Sequence, residues 1–212
     1  TDVNSILDVG CGIGGNTEYL LSNNFEVEVL SPDNYQKSVI NSKFNGKMKF
    51  HHTKFENFTS QKKFDLIFES ESACYIKIDA GFKKAREVLN NQGYLLASDY
   101  FVFNEDRSGS PHLKSSHRMN EYLSSAEENN FQLIKEYDQT ENTMPTLDYA
   151  QYFLDRFISP AIDYGAYSAK KNYPIISNMI KRVIGSKWDK KKEQLDLINS
   201  QAQFFLENFR IV

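Results

Sequence analysis

The sequence predicts an α/β fold in which a mostly parallel sheet carries helices on both faces. Short apolar runs alternate with helical patterns over the first 137 of 212 residues, and that alternation is typical of parallel strands joined by helices. A glycine-rich turn separates the first apolar run from the first helical pattern. Apolar residues make up 40% of the sequence, which is enough to fill the core of one domain.

Charge and cysteine content narrow the class of protein. The 25 basic and 28 acidic residues leave a net charge of −3, which favours neither a nucleic acid nor an anionic membrane as partner. One of the two cysteines, Cys11, lies within the glycine-rich turn, so we expect free thiols rather than a disulfide. No run approaches the roughly 18 apolar residues of a membrane span. The expectation is a cytoplasmic protein that acts on a small molecule.

The first half of the chain supplies strands and helices in strict alternation. The predicted strands are the apolar runs at 5–9, 25–30, 47–52 and 63–69. The predicted helices cover 14–23, 35–44 and 79–89. The second helix follows Ser31-Pro32-Asp33, a sequence that commonly starts helices. The third has apolar residues every three or four positions, at Ile78, Phe82, Ala85 and Leu89, which indicates one buried face.

The central part of the chain continues the pattern. Residues 90–93, Asn-Asn-Gln-Gly, are predicted to end the third helix, and a long central strand is predicted over 93–103. A polar segment over 104–118 is predicted to be a loop, and it leads to a helix that ends near residue 130. The run FQLIKEY at 131–137 is predicted to be the next strand.

The last third of the chain shows helical patterns only. Breaks between these helices are expected near Pro160, Pro174 and Gly185. The predicted domains are a core over 1–142, a helical insertion over 143–207 and the start of a final core strand over 208–212. Because that strand stops as it begins and the first strand starts close to residue 1, both ends look truncated.

The turn at 10–15, GCGIGG, fits two different ligands. The G-x-G-x-x-G spacing of dinucleotide-binding turns is present at Gly10, Gly12 and Gly15, and Glu28 could bind a ribose. Asp8, however, stands where a carboxylate would repel phosphates and attract an ammonium group. Gly14 adds a further glycine and makes the pattern Asp-x-Gly-x-Gly-x-Gly. A ligand with an amino-acid end and a nucleoside end, such as S-adenosylmethionine, satisfies both details.

Four segments in order resemble the motifs of class I S-adenosylmethionine-dependent methyltransferases. These segments are LDVGCGIGG, VLSPDNYQ, FDLIFESES and EVLNNQGYLLASDYF. The resemblance covers residues 4–137 and is greatest to the small-molecule group that includes tocopherol, sterol and phosphoethanolamine methyltransferases. It implies a Rossmann-like fold with a seven-stranded sheet, and a helical lid formed by the insertion. It also implies S-adenosylmethionine as cofactor, and we expect no metal ion.

The resemblance implies which residues hold the methionine end and the ribose. The methionine end is expected at the first turn, against Asp8, Gly10, Cys11 and Gly12. The acid with which the wider family binds the ribose is replaced here by Val29. A branch of the family uses a side-chain amide a few residues later, and the matching residue is Asn34; Gln36 and Glu28 are weaker substitutes.

At the position expected to bind the adenine of the cofactor, the sequence departs from the family pattern. The family's acid for the adenine amino group is replaced by Lys54, and Phe55 and Glu56 follow it. Phe55 could pack on the adenine ring with Glu56 as hydrogen-bond acceptor, or Phe55 could equally be a core residue. Glu69, at the end of the fourth strand, completes the candidate cofactor-binding residues.

The acceptor side is expected at the end of the fourth and fifth strands. Glu71-Ser72 matches the family's Glu-Ser, and Tyr75 stands where many relatives have a histidine. Because tyrosine is a poor base near neutral pH, we expect Tyr75 to orient the acceptor or to lie against a cationic one, which slightly favours an amine. Glu71 is the candidate acceptor-side carboxylate and Tyr100 a secondary candidate, although Glu71 as a helix cap with Tyr75 in the core is an alternative.

The predicted function is methyl transfer from S-adenosylmethionine to a small molecule, on a nitrogen, carbon or oxygen atom. One alternative is a cofactor-binding or regulatory protein without catalysis, because Val29 and Lys54 depart from the family pattern. A nicotinamide-dependent dehydrogenase is the other alternative, because the G-x-G-x-x-G spacing is present.

Overall fold

A computed structural model describes residues 3–103, 117–173 and 209–211 of the chain. Its main sheet has five parallel strands in the order β3-β2-β1-β4-β5. The strands are β1 Ser5–Val9, β2 Glu26–Leu30, β3 Phe50–His51, β4 Phe64–Ser70 and β5 Leu89–Ser98. The predicted α/β class and parallel sheet are therefore confirmed. The predicted seven strands are wrong for the described residues, because the main sheet there has five.

Helices cover both faces of this sheet, as predicted. The helices of this part of the chain are α1 Gly15–Ser22, α2 Asn34–Lys43, α3 Ile78–Val88 and α4 Met119–Glu128. On one face, Leu20 and Leu21 of α1 and Ile40 of α2 pack with Val27 and Val29 of β2. On the other face, the larger core cluster contains Leu7, Val9, Ile67, Ala85 and Val88, which join α3 to the strands.

The alternation of side chains along each strand separates two groups of polar residues. In parallel pairing Asp8 is opposite Val29 and Phe68, whereas Val9 is opposite Leu30 and Glu69. Paired residues in adjacent strands point to the same face and neighbours along a strand to opposite faces. Asp8 therefore faces α1, and Glu69 faces α3.

The start of α2 shows why a predicted element forms where it does. Asp33 adopts an extended backbone conformation, and its side chain accepts a hydrogen bond from the Gln36 N–H at 2.7 Å. This is the N-cap arrangement that satisfies an otherwise unpaired amide at a helix start. The helix signal in Ser31-Pro32-Asp33 is confirmed.

The predicted long strand is divided in two by Asp99. Residues 90–93 lie within β5, with Gln92 at φ 63°, and the pairing of β4 with β5 is irregular between Phe64 and Leu66. Helix α3 ends at Val88, close to the predicted helix end, but the strand begins at Leu89 and not at residue 93 as predicted. After Asp99, strand β6 Tyr100–Val102 belongs to a second sheet with β7 His117–Arg118 and β8 Phe209–Ile211, in the order β7-β6-β8.

The segment 131–137 is the clearest error of the sequence-based prediction. Its apolar residues resemble a strand, yet the structure has no regular secondary structure there. Phe131 packs against the core cluster with its ring centroid 5.4 Å from that of Phe82, whereas Leu133, Ile134 and Tyr137 are exposed. A strand forms only where a neighbour pairs with its backbone, and composition does not supply that neighbour.

The chain divides into two compact units, Thr1–Asp138 with Arg210–Val212, and Gln139–Phe209. The described part of the second unit contains α5 Thr140–Phe153, a π-helical turn Leu154–Ile158 and α6 Ser159–Asn172. Pro160 lies in the first turn of α6, a position that suits proline. The breaks expected near Pro174 and Gly185, and the predicted loop over 104–116, lie outside the described residues. No described helix combines the length and apolar composition that a membrane span requires.

Candidate active site

The glycine-rich turn forms a bend between β1 and α1 at the carboxyl edge of the sheet. Gly10, Gly12 and Gly14 have positive φ angles of 76°, 54° and 79°, a conformation that other residues adopt only under strain. The Gly10 N–H donates to the Leu30 carbonyl oxygen at 2.8 Å, which joins the bend to the end of β2. The ends of β1 and β2 therefore open at one site, the place where parallel sheets bind ligands.

The space around Gly14 and Gly15 distinguishes the G-x-G-x-x-G pattern from the Asp-x-Gly-x-Gly-x-Gly pattern. A Cβ atom on Gly14 would lie 2.7 Å from Ile40 Cδ1, so α2 and the start of α1 require glycine there. A Cβ atom on Gly15 would meet nothing within 4 Å, and its φ angle is not positive. In a dinucleotide fold the third glycine of G-x-G-x-x-G permits close helix packing. Here that requirement falls on Gly14, and the bend follows the Asp-x-Gly-x-Gly-x-Gly pattern.

Asp8 lies beneath the bend and is almost fully buried, with 2% of its surface exposed. Its Oδ2 accepts a hydrogen bond from the Thr17 hydroxyl at 2.6 Å, which ties the end of β1 to α1. Burial raises the pKa of Asp8 to about 6, although the Thr17 hydrogen bond acts to lower it. Burial, and next the negative charge of Asp8, raise the pKa of the adjacent Cys11 thiol to about 12. Direct contact between Asp8 and a ligand ammonium stays a prediction.

Ser72 connects the glycine bend to the turn that follows β4. Its hydroxyl donates to the Val9 carbonyl oxygen at 2.6 Å. A Cβ atom on Gly10 would lie only 2.4 Å from the Ser72 Cβ, so the two segments cross at a distance that glycine alone allows. The sequence pattern identified the Glu-Ser pair but not this contact, because its two ends are 63 residues apart in the chain.

Glu71 has the backbone conformation of a strained residue. Its φ angle is 53°, and its N–H donates to the Ser98 carbonyl oxygen at 2.8 Å. Positive φ in a residue other than glycine is uncommon and clusters at functional sites. The side chains of Glu71 and Tyr75 are exposed, Tyr75 by 80%, so a core position for Tyr75 is wrong. Burial, and then the charges of Glu71 and Asp99, raise the pKa of Tyr100, which lies on the adjoining strand.

Asp99 joins the end of β5 to the same turn. The buried carboxylate accepts the Cys74 N–H at 2.9 Å through Oδ2 and the Tyr100 N–H at 2.8 Å through Oδ1. Burial, followed by the charge of Asp99, raises the pKa of the Cys74 thiol to about 12, so this thiol is unreactive near neutral pH. Glu71 and Tyr75 belong to the turn after β4, and Tyr100 begins the strand after β5, close enough to Glu71 for its charge to act on the phenol. Their contact with an acceptor stays a prediction.

The candidate ribose-binding residues in and after β2 differ in how exposed their side chains are. Val29 is fully buried in the core, and Asn34 is exposed at the first position of α2. Glu28 faces the opposite side of the sheet from Asp8, where it accepts from His51 at 2.7 Å and from Lys49 at 3.2 Å. Burial acts to raise the pKa of Glu28, but hydrogen bonds from these and Lys62 outweigh it and lower the pKa. Asn34 is therefore the more accessible of the candidates.

The candidate adenine residues are engaged within the protein. Phe55 is 2% exposed and belongs to the larger core cluster, the alternative that the sequence left open. Glu56 accepts the Lys77 N–H at 3.2 Å and so caps the segment before α3. Contact of either residue with adenine stays a prediction.

Glu69 lies on the opposite face of the sheet from Asp8. It faces α3 and α4, where its carboxyl group is hydrogen-bonded to the Tyr122 hydroxyl, and only 3% of its surface is exposed. Burial, and then the negative charge of Asp99, raise its pKa to about 8. No sequence pattern indicated Tyr122, because the pairing of Tyr122 with Glu69 depends on how α4 packs.

Comparison with known families agrees with the geometry of the bend. Residues 6–93, which run from β1 into β5, match the family model of a methyltransferase domain. Over these residues the chain is similar to a methyltransferase domain. The segment with Glu71 and Ser72 lies inside the matched region, so the similarity extends from the glycine bend to the turn after β4.

Solved methyltransferase structures share the fold at low sequence identity. A phosphoethanolamine N-methyltransferase 2 of Haemonchus contortus, in complex with S-adenosylmethionine, has a TM-score of 0.67 and 14% identity and covers 99% of this chain. A Galdieria sulphuraria protein assigned as a sarcosine dimethylglycine methyltransferase has a TM-score of 0.66 and 16% identity over 74% of this chain. An O-methyltransferase from a Brevibacillus brevis polyketide synthase, with S-adenosyl-L-homocysteine, has a TM-score of 0.52 and 18% identity over 60%.

This chain matches only part of each of these solved structures. The match covers 47% of the Haemonchus chain, 64% of the Galdieria chain and 46% of the Brevibacillus chain, so this chain spans about half the length of two of them. No curated protein matches the sequence.

Proposed function

We propose that the protein transfers the methyl group of S-adenosylmethionine to a small-molecule acceptor, with an amine as the favoured class. The observation that carries this proposal is the glycine bend, in which Gly14 rather than Gly15 is sterically required and an acid lies directly beneath. A pyrophosphate next to a buried carboxylate would be repelled, whereas the ammonium group of a methionine tail would be attracted. The bend therefore suits S-adenosylmethionine better than a dinucleotide.

The reaction needs alignment more than strong acid or base catalysis. A lone pair on the acceptor attacks the methyl carbon, the carbon–sulfur bond breaks, and its electron pair stays on sulfur as S-adenosylhomocysteine leaves. The sulfonium already activates the methyl group, so holding the acceptor in line supplies much of the catalysis. If the acceptor is a protonated amine, its proton must first leave, and the exposed Glu71 carboxylate is the proposed group that receives it.

The residues proposed to hold the cofactor follow from their positions. Asp8 supplies a negative charge under the bend, and Gly10, Cys11 and Gly12 present backbone groups to the methionine end. Asn34 is proposed to reach the ribose, because it is exposed at the start of α2 next to the end of β2.

Tyr75 supports an amine over other acceptors. Its ring is 80% exposed and belongs to the same turn as Glu71, so it can lie against a cation without disturbing the core. The Haemonchus and Galdieria proteins carry names that refer to amine substrates, phosphoethanolamine and sarcosine or dimethylglycine. These amines, with a phenol as an oxygen acceptor, form the panel for a first activity assay.

The decisive experiment separates the charge of Asp8 from its structural role. Asp8→Asn keeps an oxygen that accepts the Thr17 hydroxyl but removes the negative charge. We expect S-adenosylmethionine and S-adenosylhomocysteine to bind at least tenfold more weakly, measured by calorimetry. Methylthioadenosine, which lacks the amino-acid end, should bind this variant and the wild type equally. Equal affinity of all three ligands for both proteins, or tighter binding of NAD, would refute the proposed site.

A second pair of variants separates cofactor binding from turnover. Asp8→Ala should abolish S-adenosylmethionine binding, whereas Glu71→Gln should preserve it and reduce methyl transfer. Glu127→Gln, on the exposed face of α4, is the matched control and should change neither quantity. If Glu71→Gln loses as much cofactor affinity as Asp8→Ala, the role proposed for Glu71 is wrong.

A cofactor-binding module without catalysis is the second candidate function. It is favoured by the fully buried Val29 at the usual ribose position and by the engagement of Glu28 with His51 and Lys49. Such a protein would bind S-adenosylmethionine normally and methylate no acceptor of the panel. Any turnover that Glu71→Gln reduces would exclude it.

A further inference from the structure

The turn between β4 and α3 is hydrogen-bonded by His117, a residue that has no role in the proposed methyl transfer. His117, the first residue of β7, places its Nε2 2.9 Å from the Ala73 carbonyl oxygen and 2.8 Å from the Ile76 carbonyl oxygen. Carbonyl oxygens only accept hydrogen bonds, so Nε2 carries a proton and donates to both. One imidazole N–H thus bridges the two ends of the short 3-10 turn Ala73–Tyr75.

This bridge satisfies groups that water does not reach easily. Ala73 is 1% exposed and Ile76 is 9% exposed, and the Ala73 carbonyl oxygen also accepts the Ile76 N–H at 3.0 Å. Buried carbonyl groups are nearly always hydrogen-bonded, and the loss of a partner is costly. The strained backbone at Glu71, just before this turn, requires that the surrounding structure hold it in place.

His117 is itself fixed by aromatic packing. Its ring stacks on Tyr122, with centroids 6.2 Å apart and planes inclined by 19°. Tyr122 packs against Phe82 at 4.8 Å and Phe101 at 5.0 Å, and its hydroxyl is hydrogen-bonded to Glu69 in β4. The imidazole therefore connects the aromatic core around Tyr122 to the backbone of the turn.

We propose that His117 is a positioning residue for the acceptor, acting through the turn that carries Glu71 and Tyr75. Its bonds go to backbone atoms of that turn and not to the side chains proposed to face the acceptor. This inference rests on the proposed function, because the turn can position a methyl acceptor only if the protein is a methyltransferase. Ser72 bonds the end of β1 next to the glycine bend, and His117 bonds the carbonyl groups of Ala73 and Ile76 from β7.

The test compares two variants of His117. His117→Phe keeps a ring that can stack on Tyr122 but has no N–H, whereas His117→Gln keeps an N–H donor of similar reach. For His117→Phe we expect an acceptor KM or kcat/KM worsened about tenfold or more, since small misplacements of reacting groups are costly. S-adenosylhomocysteine affinity should stay within about threefold of wild type, and His117→Gln should recover most of the loss. Ser124→Ala, exposed on α4, is the control and should match wild type.

Amide hydrogen exchange provides a readout that needs no acceptor. Faster exchange at Cys74, Tyr75 and Ile76 in His117→Phe, restored in His117→Gln, would support the hold on the turn. Unchanged exchange in His117→Phe would overturn the proposal, as would loss of cofactor affinity equal to the loss of turnover. If the wild type methylates no amine or phenol of the panel, the proposed function falls, and the exchange data alone still decide whether His117 holds the turn.

Discussion

Glu69 provides the sharpest test of the buried electrostatics. The carboxyl group is 3% exposed, and the cavity beside it, of about 10 Å³, has room for the centre of about one water molecule. Burial and then the nearby charge of Asp99 raise the pKa of Glu69 to about 8, against an ordinary value of 4.5. The group is thus mainly protonated in the folded protein at neutral pH. We predict that Glu69→Gln, which mimics the neutral acid, changes how stability depends on pH.

The magnitude follows from proton linkage. Below about pH 4.5 the carboxyl group is protonated in both states, and its contribution to stability is fully present. As the pH rises, the unfolded chain releases this proton while the folded protein keeps it, so stability falls until about pH 8. With 4.5 for the unfolded chain and about 8 for the folded protein, the free energy of unfolding falls by about 2 kcal/mol between pH 6 and pH 8.

Urea denaturation at both pH values measures this effect as a difference between proteins. Subtracting the change in Glu69→Gln from that in the wild type leaves the contribution of this one carboxyl group, because other titrating groups cancel. Glu127→Gln, which alters an exposed side chain on α4, should retain the wild-type pH dependence. If Glu69→Gln also retains it, then Glu69 ionises normally in the folded protein and the reasoning is wrong.

Three further predictions concern the bend. Gly12→Ala should lower the free energy of unfolding by about 1–2 kcal/mol in urea denaturation, because its φ angle is positive. Gly10→Ala should lower it more, because the added Cβ would lie 2.4 Å from the Ser72 Cβ. S-adenosylmethionine affinity, measured by calorimetry, should fall as the pH drops through about 6, where Asp8 gains a proton, and a flat profile would contradict this. Thr17→Val should lower the free energy of unfolding by about 1.5–3 kcal/mol, because it removes the hydroxyl that donates a hydrogen bond to the buried Asp8 carboxylate. Thr17→Ser keeps this hydroxyl and should retain most of that stability.

The elements before residue 90 were predicted from the sequence more accurately than those after it. Strand β1 and the bounds of α1, α2 and α3 were predicted to within one or two residues, because each has its own capping or turn signal. The predicted strand over 131–137 is absent from the structure, since an apolar run does not specify a neighbour to pair with. Asp99 divides the predicted central strand, because its carboxylate bonds the Cys74 amide of a turn 25 residues earlier.

The candidate site divides in the same way. Asp8, the glycine bend and Glu71-Ser72 could be found from the sequence, because their chemistry depends on residue type and spacing over a few positions. The contact of Ser72 with the bend, the placement of Glu69 beside Tyr122 and the bridge from His117 could not. Each joins residues that are more than 40 positions apart, and their distance depends on strand order and helix packing.

The sequence by itself therefore determined the class of fold, the conformation of the glycine bend and the acid beneath it, since local backbone preferences and short-range pattern suffice for these. Only the tertiary structure decided which face of the sheet each acid occupies, and so which of them can meet a ligand. Neighbouring residues along a strand point to opposite faces, which is why Asp8 lies on the α1 face while Glu69, paired with the adjacent Val9, is buried on the α3 face. Glu71 is exposed because β4 ends at Ser70 and Glu71 belongs to the turn that follows.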